Sequence, residues 1–502
     1  MLNGKHLIAG EWVGSQTTFE NAPMNGATDH FGVGTPDHVD AAAFAAEQAF
    51  PSFGYSKRAH RAEFLRAIAT EIDARGDEIT AIGVRETGLP EMRLNGERGR
   101  SVGQFKLFAD LLDAGDYLDR RYDEALPDRE PLPRPDLRLM QRPVGPVAVF
   151  GASNFPLAFS AAGGDTAAAL AAGCPVVVRG HSAHPGISDI VAQAIDAAIK
   201  ACGVHPGTFS LIQGGDNAVG QALVTHPLIR AVGFTGSLAG GRALYDLCAA
   251  RPEPIPFYGE LGSVNPMFLL PAALAARGNS IATGWAQSLT MGAGQFCTNP
   301  GIAVVVGGSD ADAFSDAAKD ALNDIDAQTM LTDGIASAYR QGRDRVRSTS
   351  GVREVLSTSC DSRNATPYLF AATGKDWLAN EALGEEIFGP LGMIVVAADV
   401  HEMTAIANSL KGQLTCTLHM DDADTELAQS LLPILERKAG RILANGFPTG
   451  VEVCDSMVHG GPYPASTNFG ATSVGTMSIR RFLRPIAYQN IPPELLPSDL
   501  RD

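Results

Sequence analysis

Gly145-Pro146-Val147-Ala148-Val149-Phe150-Gly151, an alanine-rich stretch after Asp165, and then Pro175-Val176-Val177-Val178-Arg179 decide the fold of this 502-residue chain. Both apolar runs are short, rich in valine and bounded by glycine or proline, as strands covered on both faces are, and the stretch between them suits a helix. Strand, helix and strand in series make a crossover, which lays the two strands parallel in one sheet. The alternation continues through a helix over 187–201, the strand Thr208-Phe209-Ser210-Leu211-Ile212, a helix over 218–224 and the strand Ile229-Arg230-Ala231-Val232-Gly233-Phe234. That is the pattern of a doubly wound nucleotide-binding unit.

Upstream, residues 37–116 are alanine-rich with helical periodicity, as in Arg61-Ala62-Glu63-Phe64-Leu65-Arg66-Ala67-Ile68-Ala69, and predict a set of helices. Charge and proline dominate residues 117–135, which fits an exposed connection or a β excursion. A second α/β region is expected over about 260–439, and Met477-Ser478-Ile479-Arg480-Arg481-Phe482-Leu483-Arg484 reads as a mixed apolar and basic strand able to join a partner's sheet. The fold class is therefore α/β.

Hydrophobic content of 45% is ample for large cores. With 39 basic and 56 acidic side chains the net charge is −17, which argues against nucleic acid and anionic membranes as partners and requires a local cationic pocket for any anionic ligand. Cys174, Cys202, Cys248, Cys297, Cys360, Cys416 and Cys454 are odd in number and show neither Cys-x-x-Cys nor metal-ligand spacing, so no metal is expected and a reducing cytoplasm is the simplest compartment. The first residues have too short an apolar run for a signal peptide. The apolar stretch over 143–178 is broken by Asn154, Asp165, glycines and prolines, against a membrane span.

Cys297 lies in Gly294-Gln295-Phe296-Cys297-Thr298-Asn299-Pro300-Gly301, 37 positions after Glu260 in Phe257-Tyr258-Gly259-Glu260-Leu261-Gly262-Ser263-Val264-Asn265-Pro266. The pairing suggests a thiol nucleophile with a carboxylate helper, although a free cysteine taken alone more often packs as a small hydrophobe. No Gly-x-Gly-x-x-Gly follows a predicted strand. Thr235-Gly236-Ser237-Leu238-Ala239-Gly240-Gly241 does follow one, and its free N–H groups would hold a phosphate or make a plain structural turn.

Asn154-Phe155-Pro156-Leu157, Phe234-Thr235-Gly236-Ser237, Glu260-Leu261-Gly262, Gly294-Gln295-Phe296-Cys297-Thr298 and Glu386-Ile387-Phe388-Gly389-Pro390 occur in the order found in the aldehyde dehydrogenase superfamily, which this chain resembles over most of its length. The resemblance implies an aldehyde dehydrogenase-like fold. A Rossmann-like cofactor domain would span 1–116 and 141–259, an α/β catalytic domain 260–445, and a small β oligomerisation arm 117–140 with 471–495, giving a homodimer or homotetramer. It implies Cys297 as the nucleophile that forms a thiohemiacetal and then a thioester, Asn154 as an oxyanion donor or else a helix cap, and Glu260 as the general base for hydrolysis. For that role a carboxyl pKa raised by partial desolvation is expected.

Glu386 and Phe388 match the positions that hold the nicotinamide ribose and pack near the ring, and Gly236 and Ser237 match the pyrophosphate turn. Arg179-Gly180-His181-Ser182 stands where many members have a lysine-containing segment ending in glutamate. Arginine replaces the lysine and serine the glutamate that would repel a 2′-phosphate, which implies NADP, with NAD as the alternative, or a strand end merely capped by His181.

The stretches 154–166 and 296–301, with His459-Gly460-Gly461-Pro462-Tyr463-Pro464-Ala465, resemble the 2,5-dioxovalerate (α-ketoglutarate semialdehyde) dehydrogenase branch, which is similar to NADP-linked fatty aldehyde dehydrogenases. The implied substrate is a small-molecule semialdehyde. Arg98 and Arg100, with Gln104 one helical turn beyond Arg100, are candidate ligands for its distal carboxylate, or else a solvated patch. Phe155 and Phe159 line the aldehyde tunnel or fill core, and His459 accepts the Cys297 proton or is a loop residue. Competing readings are a medium or long aliphatic aldehyde as substrate and, in another class, an inactive binding homologue, against which intact Cys297, Asn154 and Glu260 argue.

Overall fold

The computed structural model describes residues 2–501. Its first seven-stranded sheet has the order Phe257–Glu260, Ala231–Thr235, Val147–Phe150, Val176–Arg179, Phe209–Ile212, His6–Ile8, Glu11–Val13. The first five strands run parallel, and only the N-terminal hairpin is antiparallel. The helices between them, Gly164–Ala172, Pro185–Cys202 and Asn217–Thr225, stand where the alanine-rich periodicity predicts. Strand order reverses at Val147–Phe150, which sends one branch through Val176–Arg179 and the other through Ala231–Thr235. The crevice beyond the carboxyl ends of the strands at such a reversal is where doubly wound sheets bind ligands.

Residues 37–116 are helical as expected, in Pro36–Phe53, Arg58–Ala74, Gly76–Thr87 and Glu91–Ala114. The last of these ends at Gly115, whose φ of +81° is a left-handed cap that a Cβ would oppose.

A second seven-stranded sheet follows, ordered Val352–Leu356, Tyr368–Thr373, Leu391–Ala397, Ile302–Val306, Met267–Leu269, Gln413–His419, Ala439–Ala444, with Val352–Leu356 alone antiparallel. In its core the buried Trp285 stacks on Phe314 with ring centroids 5.7 Å apart. The indole N–H of Trp285 donates to the Pro300 carbonyl at 2.7 Å, so a core residue also fixes the segment just after Cys297.

A third, antiparallel sheet joins Leu483–Gln489, Leu137–Pro143 and Arg121–Asp123, the β excursion foreseen for this region. One expectation fails here. Met477 to Phe482 is not strand but part of a 3-10 helix, Thr476–Phe482, and the strand begins only at Leu483. The Ser478 hydroxyl donates to the Gly475 carbonyl, and Arg481, buried, pairs with Asp165 at 2.7 Å, so this basic segment is spent on packing against the Gly164–Ala172 helix. Among the described residues no helix is long and apolar enough to cross a membrane.

Candidate active site

The Pro271–Thr290 helix runs into three left-handed residues, Gly292 (φ +57°), Ala293 (+59°) and Gly294 (+66°), which turn the chain sharply before Cys297. A Cβ at Gly294 would lie 2.4 Å from the Gly389 carbonyl carbon, so only glycine fits. Ala293 bears a left-handed cost of about 1–2 kcal/mol, and its N–H is held by the Gln328 side chain at 2.8 Å. Asn265 then donates through Nδ2 to the carbonyls of both Cys297 and Asn299, each at 2.9 Å, so the backbone at and just after Cys297 is held in place.

Cys297 Sγ lies 3.3 Å from His459 Nε2, and the same nitrogen lies 2.9 Å from Glu260 Oε1. Glu260 closes the strand Phe257–Glu260, whereas His459 arrives on the C-terminal segment, its N–H held by the Thr472 hydroxyl at 2.8 Å. Ser473 Oγ donates to Glu260 Oε2 at 2.7 Å. His459 and Glu260 are 1% and 4% exposed, so their pairing is shielded from water. Sulfur and carboxylate share one ring nitrogen, so His459 takes the thiol proton only when Nε2 is not already donating to Glu260.

The electrostatics of Glu260 differ from the expectation. Burial pushes the Glu260 carboxyl up, but the His459 imidazole and the hydrogen bonds from His459, Ser473 and Cys297 outweigh it, and the carboxyl sits below its ordinary value rather than above. Burial, the Glu260 charge and then Glu386 push the Cys297 thiol well up, against a smaller pull from Arg100. Burial and the neighbouring carboxylates thus favour the thiol over the thiolate.

Asn154 is buried, and its Nδ2 donates to the Gln295 carbonyl at 3.0 Å, two residues before Cys297. It does not cap a helix, because the next one begins at Gly164 behind Gly163. Phe155 packs edge-on against both Phe159 and Phe296 with centroids 5.3 Å apart, and Phe159 lies 6.1 Å from His459. Phe155 and Phe159 are only half-buried, whereas Phe296 is buried.

One face of the Glu91–Ala114 helix meets these three rings. Arg100 lies over Phe159 at 5.2 Å and donates to the Val451 carbonyl at 2.7 Å, while its Nε and NH2 have no partner. Gln104 is buried with an unpartnered Nε2. Arg98 points elsewhere, toward Thr80 and Asp73, because it stands two residues from Arg100 and so on another face of the helix.

Arg93 and Glu97, not singled out from the sequence, complete this face. Arg93 covers Phe155 and Phe296 at 4.5 and 4.8 Å, and Glu97 Oε1 accepts the N–H groups of Leu157 and Ala158 at 2.9 and 3.0 Å, clamping the Asn154 loop. The spacing 93, 97, 100, 104 was a readable signal. Asn265 and Ser473, the latter 213 positions from its partner Glu260, had none.

At the carboxyl end of Ala231–Thr235 the Gly236 N–H donates to the Glu260 carbonyl, and the Ser237 hydroxyl caps the Leu238–Ala250 helix, whose N-terminus faces the crevice end of the sheet. Glu386 and Phe388 line a cleft with Ser263, Gly294 and Asn299, and burial pushes the Glu386 carboxyl up to about 8. Arg179 ends its strand and donates to the Gly215 carbonyl at 3.1 Å. His181 Nδ1 accepts from the Ala183 N–H, so it closes the turn, and its ring stacks on His184 at 5.2 Å. Burial, with His184 and Arg179 nearby, lowers the His181 pKa to about 3, which leaves a neutral ring. Ser182 is exposed.

A family model described as the aldehyde dehydrogenase family matches residues 12–483. Alpha-ketoglutaric semialdehyde dehydrogenase 2 of Azospirillum brasilense is 50% identical over 100% of this chain and 96% of its own length. Alpha-ketoglutaric semialdehyde dehydrogenase of Acinetobacter baylyi is 47% identical over the same shares. Among solved structures, a variant of aldehyde dehydrogenase C from Pseudomonas syringae, in complex with NAD+ and octanal, is similar with a TM-score of 0.81 at 21% identity over 98% of each chain, a likeness of fold. By the match over nearly its whole length and by these full-length relatives, the chain belongs to the aldehyde dehydrogenase family.

Proposed function

We propose that the chain oxidises 2,5-dioxopentanoate (α-ketoglutarate semialdehyde) to 2-oxoglutarate with NADP. The observation that carries this reading is Arg100, whose two unpartnered guanidinium N–H groups stand beside the aromatic wall leading to Cys297. An acidic protein that takes an anionic substrate needs such a local cation, and the two full-length relatives bear the name of that reaction.

Cys297 attacks the aldehyde carbon as its proton passes to His459 Nε2, and Glu260 Oε1, 2.9 Å away, stabilises the imidazolium that forms. Asn154 Nδ2, with the Cys297 N–H, receives the oxyanion of the thiohemiacetal. A nicotinamide dinucleotide held by Glu386 and Phe388 would supply the hydride acceptor for that carbon. Glu260 then takes a proton from the water that hydrolyses the Cys297 thioester.

Gly236 and Ser237 at the helix N-terminus would hold the pyrophosphate, and Glu386 and Phe388 the nicotinamide riboside. Arg179, His181 and Ser182 would meet the 2′-phosphate, with His181 as a neutral donor. Residues 1–116 and 141–259 make the cofactor domain, 260–445 the catalytic domain, and the arm of 117–140 and 471–495 joins copies into a homodimer or homotetramer.

The Arg100→Met variant is expected to lose about 10- to 100-fold in kcat/KM for the semialdehyde and nothing for hexanal, because hydrogen bonds to a charged group contribute about 1.5–3 kcal/mol. A wild-type preference for hexanal, which the phenylalanine wall would favour, would instead establish the aliphatic reading. For the cofactor, Ser182→Glu places a carboxylate beside the 2′-phosphate and shifts the NADP/NAD ratio of kcat/KM toward NAD by at least about tenfold. An unmoved ratio removes Ser182 from cofactor choice.

A further inference from the structure

We infer that Cys297, His459 and Glu260 form a three-ligand zinc site that closes the catalytic centre reversibly. Their ligand atoms, one thiol sulfur, one imidazole nitrogen and one carboxylate oxygen, all lie within 4.8 Å of one another. His459 Nε2 faces both Sγ, at 3.3 Å, and Oε1, at 2.9 Å, so a cation would take the place of the proton these atoms share. Zinc bonds of about 2.3 Å to sulfur and about 2.0–2.1 Å to nitrogen and oxygen, at tetrahedral angles, put neighbouring ligand atoms roughly 3.3–3.6 Å apart. The cluster meets that spacing with shifts of a few tenths of an ångström around His459 and closure between sulfur and carboxylate.

The donor set selects the metal. Thiolate with imidazole favours zinc, whereas magnesium and calcium prefer all-oxygen shells. Glu260 is already oriented by Ser473, as a ligating carboxylate is oriented by an outer partner. Cys297 is only partly buried, so the sulfur is not sealed off from an incoming ion. On binding, the sulfur–hydrogen bond breaks, a sulfur–zinc bond forms, and one proton leaves to solvent without any electron transfer.

The test is separable from the dehydrogenase reading, because zinc binding is measured without turnover. Metal-stripped full-length enzyme titrated with Zn2+ in a calorimeter is expected to take up one ion per chain that His459→Asn or Cys297→Ala weakens at least tenfold. Equal affinity in wild type and both variants overturns the proposal. In wild type alone, Zn2+ should slow iodoacetamide alkylation of Cys297, followed by peptide mass spectrometry, at least tenfold and reversibly with EDTA. Mg2+ and Ca2+ should leave it unchanged. Alkylation indifferent to Zn2+, or equally slowed by Mg2+, overturns the site even if a variant fails to fold.

Discussion

Replacing Cys297 with alanine lowers aldehyde oxidation by at least about 10⁴-fold, as removal of a covalent nucleophile does when the rest of a catalytic unit remains. Cofactor binding survives, because the Gly236–Ser237 turn and the Glu386 cleft do not depend on the sulfur. The backbone survives as well, since Asn265 grips the carbonyl of residue 297 and not its side chain. The measurement is NAD(P)H formation under saturating semialdehyde beside dinucleotide binding by fluorescence. Residual oxidation within tenfold of wild type would strip Cys297 of its role, and loss of cofactor binding would show that the variant reports on folding instead.

Glu260→Gln separates the two halves of the reaction. The amide is nearly isosteric and still meets His459 and Ser473, but it cannot take a proton from water. The first-turnover burst of NAD(P)H is therefore expected at close to wild-type amplitude, with steady turnover down by about 10²–10⁴-fold, the usual worth of a positioned general base. A steady rate equal to wild type removes Glu260 from thioester hydrolysis. Loss of the burst itself would show that the Glu260 charge beside the imidazolium, formed when Cys297 attacks, is required in the first half as well.

The first sheet was legible because its strands are short valine-rich runs punctuated by glycine and proline, with alanine-rich helices between them, a pattern set by local periodicity. Five ordered motifs pointed to the family, and that resemblance implied Cys297, Glu260 and Asn154 as its working residues. The segment from Met477 to Phe482 was misread because its alternation of apolar and basic residues mimics a strand, while Arg481 is in fact claimed by Asp165, over 300 positions away.

What the sequence determined by itself was the order of elements and the kind of chemistry, since both rest on residue type and near-neighbour spacing. Only the tertiary structure decided that one nitrogen of His459 serves both Cys297 and Glu260, that Ser473 holds the carboxylate, and that Arg100 rather than Arg98 faces the sulfur's approach. These contacts join a strand end, the Cys297 loop, the C-terminal segment and one helix face, and proton affinity in a buried cluster follows from distances that no linear spacing encodes.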